Sequence, residues 1–154
     1  MKVVTNGNRV VLSYPFGAPI GISLTGDSGD VFYRYKVDSI TRVKHPGIKL
    51  GVGTDGQRYY VHNHYLSGKA SIVTEAEFAQ GQTIYRSNEP CLNTKADVVR
   101  LALQKVNEGK PYHFLSNNCQ TTVNEVCNNR SESETVNGWL GVAAFVALVW
   151  IFWE

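Results

Sequence analysis

Four residues carry most of the chemistry this sequence can offer: Cys119, His45, His62 and His64. Cys119 follows Asn117-Asn118, and Asn is a strong helix cap, so a helix is expected from about Cys119 to Asn128. A cysteine in the first turn of a helix sees the positive end of the helix dipole and unpaired N–H groups. Both favour the thiolate, which is the nucleophile. The same N–H groups are placed to hold an oxyanion. The base must come from elsewhere in the chain, and imidazole, which titrates near neutrality, is the usual choice. Cysteine plus histidine suffices for covalent acyl chemistry, with a second polar residue on the next strand to orient the base.

Plainer readings stand beside this one. A cysteine at a helix start also fits a structural role. His62 and His64, two apart in a strand, share a face and suit an exposed polar edge. They also suit two metal ligands, but no third ligand has convincing spacing, so no metal is expected. His113, before Phe114, reads as a surface histidine. Cys127, with Val123 between it and Cys119, continues a core stripe and reads as a buried, inert thiol. Cys91 follows Pro90 in a loop with no evident partner. Three cysteines without framework spacing, and no CxxC pair, argue against a disulfide-stapled domain and a cysteine zinc site.

The elements that must position these residues follow from local pattern. Val10-Val11-Leu12 suggests a strand, and Pro15, Gly17, Pro19 and Gly21 suggest irregular chain after it. Val31 to Val37 is rich in aromatic and β-branched residues and reads as a strand. Ile48–Val52 and Gln57–His64 flank Thr54-Asp55-Gly56, a hairpin signal. Thr74-Glu75-Ala76-Glu77 is a capping box for one short helix, with Gly81 as its stop. Gln82 to Arg86 reads as another strand. Thr94 caps a helix with apolar residues at Val98, Val99, Ala102, Leu103 and Val106, a 3.6-residue period that Gly109 and Pro111 end. Strands followed by helices predict an α+β domain.

Composition sets the outer bounds. The chain has 154 residues, 43% of them hydrophobic and 18% charged, which is ordinary globular material and argues against wholesale disorder or a polytopic membrane protein. A net charge of +2 does not advertise a nucleic-acid partner. The N-terminus lacks the apolar run of roughly 7–15 residues that a secretory leader needs. Gly138 to Trp153 is uncharged. As a helix it reaches about 24 Å, against a hydrocarbon core about 30 Å thick. Trp139, Trp150 and Trp153 lie near its ends, as in an interfacial belt. It is apolar on every side, so a membrane anchor is the leading reading and a buried core helix the other.

Several stretches together resemble one family. Tyr112-His113-Phe114-Leu115-Ser116-Asn117-Asn118-Cys119-Gln120-Thr121-Thr122-Val123-Asn124-Glu125 looks like the Asn-Cys motif of the lecithin:retinol acyltransferase (LRAT)-like proteins, which include the HRAS-like suppressor phospholipase/acyltransferases and belong to the permuted papain-like thiol hydrolases. Gly29-Asp30-Val31-Phe32-Tyr33-Arg34 resembles the family's opening strand. His45 to Val52 resembles the strand with the first histidine, and Tyr60-Val61-His62-Asn63 the strand with the second. Val73 to Gly81 resembles the short helix that follows. The resemblance covers roughly residues 29–153. Where the family has Glu-His-Phe after the cysteine, this chain has Gln120-Thr121-Thr122, a departure that bears on substrate or acceptor.

The resemblance implies a permuted papain-like fold, an antiparallel sheet packed on helices with an apolar C-terminal helix. It divides the chain into an N-terminal extension (1–28), a catalytic domain (29–130), a linker (131–135) and an apolar anchor (136–154). By it, Cys119 is the nucleophile, His45 the general base and His62 the residue that orients His45, with His64 as the alternative third member. Asn118 and Gln120 support the oxyanion. No cofactor is implied. The implied activity passes an acyl group from a phospholipid or other donor through an acyl-cysteine to water, an amine or an alcohol, at a membrane and on its cytosolic side. The alternatives are a thiol peptidase or amidase of the same superfamily, and a non-catalytic membrane-tethered adaptor.

Overall fold

The computed structural model describes residues 2–13, 19–36, 43–131 and 138. Among them are eight strands, all in one antiparallel sheet, and three helices, so the chain is α+β. The tail beyond 138 and most of the 131–135 link lie outside the described residues. Among the described residues no helix is long and apolar enough to cross a membrane.

The N-terminal segment is more ordered than its pattern suggests. β1 (Lys2–Asn6) and β2 (Arg9–Ser13) form a hairpin across Gly7, whose φ of +56° suits glycine. β3 (Ile20–Ser23) pairs with β2 and then meets β5 (Lys44–Gly53) at its far end. The expected irregular stretch therefore includes a strand. Ile20–Ser23 is too short and too glycine-rich to signal itself, and is held by pairing on both edges. A Cβ at Gly51 would lie 2.1 Å from the Ser23 carbonyl oxygen, so only glycine lets β3 approach β5 there.

β5 is the axis of the sheet. β4 (Val31–Tyr35) pairs along its first half, on the edge that β3 uses further on. β6 (Arg58–His64) pairs along the other edge through the expected Asp55-Gly56 hairpin. β7 (Lys69–Thr74) adds to β6. The strand expected over Gln82–Arg86 shrinks to β8 (Tyr85–Arg86), because the Gln82 N–H is engaged by the Ala79 carbonyl.

All three helices form as read. α1 (Glu75–Ala79) has its Thr74/Glu77 capping box and ends at Gln80 in the left-handed region, just before Gly81. α2 (Lys95–Glu108) is capped by Thr94, ends at Gly109 and buries Val98, Val99, Ala102, Leu103 and Val106. α3 (Cys119–Asn128) is capped by Asn118.

Strand alternation gives the sheet two unlike faces. Ile48 pairs with Val31 and Val61, and these residues turn with Leu50 and Ala70 toward α2 and α3 to form the aliphatic core. His45, Gly47 and Lys49 point the other way, beside Arg34 and Phe32 of β4 and Tyr60 and His62 of β6. Phe78 of α1, fully buried, covers this second face and stacks on Tyr60 at 4.9 Å. A Cβ at Gly47 would lie 2.7 Å from the Phe78 ring.

Cys91 and Cys127 are joined in a disulfide, which corrects the reading of Cys91 as partnerless and Cys127 as an inert thiol. The Leu92 and Asn93 N–H groups both donate to the Cys127 carbonyl, and the Asn93 side chain donates to the Val126 carbonyl. These bonds seat the loop against the end of α3. The sequence separation of 36 residues hides that neighbourhood.

Candidate active site

α3 begins where the cap pattern requires. Asn118 Oδ1 accepts from the Gln120 and Thr121 N–H groups at 2.9 and 3.0 Å, and Thr121 Oγ1 accepts from the Asn118 N–H at 2.7 Å. Asn118 Nδ2 donates to the Phe114 carbonyl at 2.6 Å. Thr121 thus fills the capping-box place that Glu or Gln usually takes. The cap occupies two first-turn donors, so fewer are open to an oxyanion than the bare motif suggests. The Cys119 N–H is the first-turn donor this cap does not use.

Asn63, buried on β6, fastens this helix start to the sheet. Its Nδ2 lies 3.1 Å from Asn117 Oδ1 and 3.0 Å from Thr122 Oγ1. Asn117 in turn closes the turn before α3, exchanging backbone bonds with His113. His113 is exposed as expected, with Nδ1 3.0 Å from Ser116 Oγ. Residue type alone assigns Asn63 no role, although it adjoins His62 in Tyr60-Val61-His62-Asn63.

His45, His62 and His64 form one buried cluster and not an exposed polar edge, with exposures of 2, 5 and 8%. His45 Nε2 is 3.0 Å from His62 Nδ1, and the two rings meet edge-on. His64 also meets the His45 ring edge-on, at 4.9 Å, but its Nδ1 accepts the Leu66 N–H. Only His62 is hydrogen-bonded to His45, and it is the better placed of the two to orient it. Among the described residues no group of three His, Cys, Asp or Glu is arranged to hold a metal ion.

Burial sets the charge state of this cluster. It pushes His45 down to about 2, assisted by His62, Arg34, His64 and Lys36. It pushes His62 down to about 4, with His64 and Arg34 adding to the effect. His64 is lowered for the same first reason. All three are neutral at neutral pH. In the tautomer with the proton on His45 Nε2, that nitrogen donates to His62 Nδ1 and His45 Nδ1 is the acceptor that can take a proton.

Cys119 is the one free cysteine and is buried. Burial raises its thiol above the ordinary value, while Lys36, the Gln120 and Cys119 N–H groups and Arg34 pull the other way. The N–H groups of the helix start favour the thiolate, in the expected direction, but desolvation outweighs them and the nearby charges. Among the described residues no hydrogen bond joins Cys119 Sγ to an imidazole. Lys36 and Arg34 bear electrostatically on both Cys119 and His45.

Arg34 is the second residue that sequence reasoning did not single out. It is 2% exposed. Its Nε donates to the Phe78 carbonyl at 2.6 Å, Nη1 to the Tyr35 carbonyl at 3.2 Å and Nη2 to Gln80 Oε1 at 2.6 Å. It pairs directly across from His45. The only signal available was a charged residue within the aromatic run Val31-Phe32-Tyr33-Arg34-Tyr35. A groove lined by Asp27, Phe32, Lys49, Tyr60 and Glu75 opens further along this face. Its cations are already paired, Lys49 with Asp27 and Arg58 with Glu75. The chain matches no protein-family model and no curated protein sequence, so its site is read from this geometry.

Proposed function

We propose that the protein is a thiol acyltransferase or phospholipase of the LRAT-like, permuted papain-like kind. The observations that support this reading are a buried, neutral His45–His62 pair on the sheet and the free thiol of Cys119 at a capped helix start. Cys119 Sγ attacks the ester carbonyl as its proton passes to His45 Nδ1. His62 Nδ1 accepts from His45 Nε2 and holds the ring in the tautomer this needs. The Cys119 N–H faces the developing oxyanion. His45 then returns the proton to the leaving alcohol oxygen, and an acyl-cysteine remains. Water, an amine or an alcohol attacks it with His45 as base. The uncharged segment from Gly138 to Trp153 supports a membrane location for the whole, on the cytosolic side by the sequence reading.

The test is to incubate the purified full chain with phosphatidylcholine vesicles and search for an acyl adduct on Cys119 by mass spectrometry. An adduct in the wild type and none in Cys119→Ala is the expected result. Absence of adduct and of lipid turnover in both, across lipid classes, removes the acyltransferase reading.

One observation favours a second reading. The Cys91–Cys127 disulfide is a bond that oxidising compartments preserve. It suits a thiol peptidase or amidase of the same superfamily working outside the cytosol. Turnover of peptide or peptidoglycan fragments without turnover of lipid would rank this reading first.

A further inference from the structure

Exposed apolar side chains scattered singly over a surface are ordinary, whereas a cluster of them marks something that covers it. Among the described residues seven large hydrophobic side chains are exposed. Val4, Tyr85 and Leu92 stand apart, on β1, on β8 and on the loop that the disulfide ties to α3. The other four, Tyr65, Leu66, Phe114 and Leu115, sit on two turns, and each is more than half exposed. One turn joins β6 to β7, closed by the Gly68 N–H on the His64 carbonyl; the other is closed by the bonds between His113 and Asn117. The fold holds the two together. Lys69 and Pro111 form an antiparallel bridge, and the Tyr112 N–H donates to the Gly68 carbonyl at 2.6 Å. Asn63 Nδ2, just before the first turn, donates to the Asn117 carbonyl at 3.2 Å.

Charge separates the candidate occupants. No Asp or Glu lies between Asp55 and Glu75 or between Glu108 and Glu125, the stretches that contain the two turns. Lys69, exposed at the bridge, has no ion pair among the described residues. Lys110 is exposed too, with Glu108 3.4 Å away. Apolar turn tips edged by lysine, with no acidic residue on either turn, fit an anionic lipid surface. There the tips enter the headgroup region and the ammonium groups meet phosphates. Tyr65 carries a ring with a polar end, which suits that depth. We infer that the 64–69 and 113–117 turns form one docking surface for an anionic membrane. Asn118 Nδ2 donates to the Phe114 carbonyl at 2.6 Å, and Cys119 is the next residue. Docking through Phe114 and Leu115 therefore brings the start of α3 to the headgroups. The inference rests on the reading of the chain as lipid-associated, and not on Cys119 being reactive.

Hydroxyl-radical footprinting, read residue by residue by mass spectrometry, reports on the side chains themselves. The full chain would be oxidised in buffer, with phosphatidylcholine vesicles, and with vesicles in which a quarter of the lipid is phosphatidylserine. The phosphatidylserine vesicles should lower oxidation of Tyr65, Leu66, Phe114 and Leu115 several-fold. Leu92, whose N–H meets the Cys127 carbonyl at the opposite end of α3, should be oxidised as in buffer. Phosphatidylcholine alone should protect the turns less, and added salt should weaken the protection. Equal protection by the two vesicle types overturns the inference. So does protection of Trp139, Trp150 and Trp153 with none at the turns, since the tail alone would then hold the lipid. Turns already protected in buffer are covered by the tail or by a second copy of the chain, which overturns it as well.

Variants sharpen the result. Leu66→Asp with Leu115→Asp changes two exposed side chains, so circular dichroism should match the wild type. Tyr65 and Phe114 should then be oxidised on phosphatidylserine vesicles as in buffer. Lys69→Glu should erase the preference for phosphatidylserine over phosphatidylcholine. Wild-type protection in the double variant, or an unchanged preference in Lys69→Glu, overturns the inference. If the double variant does not fold, the wild-type footprint and its Leu92 reference decide alone. Docking without acyl transfer leaves the surface standing and sinks only the enzyme reading. Acyl transfer by a chain whose turns stay oxidisable on vesicles keeps that reading and removes the docking surface.

Discussion

The two faces of the sheet are built from the same strands and obey different physics. On one, Ile48, Leu50, Val61 and Ala70 meet Val98, Ala102, Leu103 and Val126 of the helices, and apolar burial does the work. On the other, Arg34, His45 and His62 are buried just as deeply among Phe78 and Tyr60. Each polar group there gives up water, and hydrogen bonds offset part of that loss. β5 contributes to both faces, because side chains alternate along a strand. Cys119 joins them: α3 buries Val126 and Cys127 in the aliphatic core, while its first residue reaches the field of Arg34 and Lys36. The aliphatic face can therefore hold the site still without contributing a reacting group to it.

The sharpest way to break this comparison is to remove one side chain from each face. His45→Ala should lower acyl transfer by roughly 10²–10⁴-fold, the range for loss of a general base. The protein should remain folded by circular dichroism. Activity within a few-fold of wild type would remove His45 from the chemistry. Ile48→Ala, on the same strand but facing the helices, should lower stability by about 2–5 kcal/mol. Denaturant unfolding would measure it. Its acyl-transfer rate per folded molecule should stay near wild type. A rate loss comparable to that of His45→Ala would show that the faces are not separable.

Acid should act on the histidine face first. His45 and His62 titrate below the ordinary histidine value of 6.5 in the folded protein. The unfolded chain therefore binds more protons as pH falls, and folding stability falls with it. The loss begins near pH 6.5 and continues toward the folded value of about 4 for His62, and lower for His45. Each histidine held neutral costs about 1.4 kcal/mol per pH unit in that window. Unfolding midpoints between pH 7 and 5 would follow it, and His62→Phe should flatten the slope. An unchanged slope in that variant would place the acid sensitivity elsewhere.

The same contrast explains what the residues disclose before folding. α1, α2 and α3 are legible because their caps and apolar period lie within one stretch of chain: Thr74 with Glu77, Thr94 with Asp97, Asn118 with Thr121. The five buried residues of α2 are those its period names. β3 and β7 are not legible, since four to six residues depend on partners elsewhere in the sequence. The Cys91–Cys127 bond is hidden for the same reason. At the site, residue types pointed to Cys119 with His45, His62 and His64, and the family resemblance to His45 and His62 among them. They could not show that Arg34 is buried against the Phe78 and Tyr35 carbonyls and Gln80, or that burial overrides the helix dipole at Cys119. Both are outcomes of packing, which the local pattern does not encode.

The finest test compares two helix caps. Thr94 Oγ1 accepts the Asp97 N–H at the start of α2, away from the histidines. Thr94→Ala should cost about 1 kcal/mol of stability and leave the rate at which iodoacetamide labels Cys119, the one free thiol, unchanged. Asn118→Ala should cost a similar amount, because it removes one cap of the same kind. It also releases the Gln120 and Thr121 N–H groups and drops the bond to the Phe114 carbonyl. The Gln120 N–H is one of the groups that pull the Cys119 thiol down, so its release alters the thiol directly. Asn118→Ala should therefore change the labelling profile of Cys119 at matched stability. If the two variants label alike, the start of α3 is an ordinary cap, and the site depends on the sheet alone.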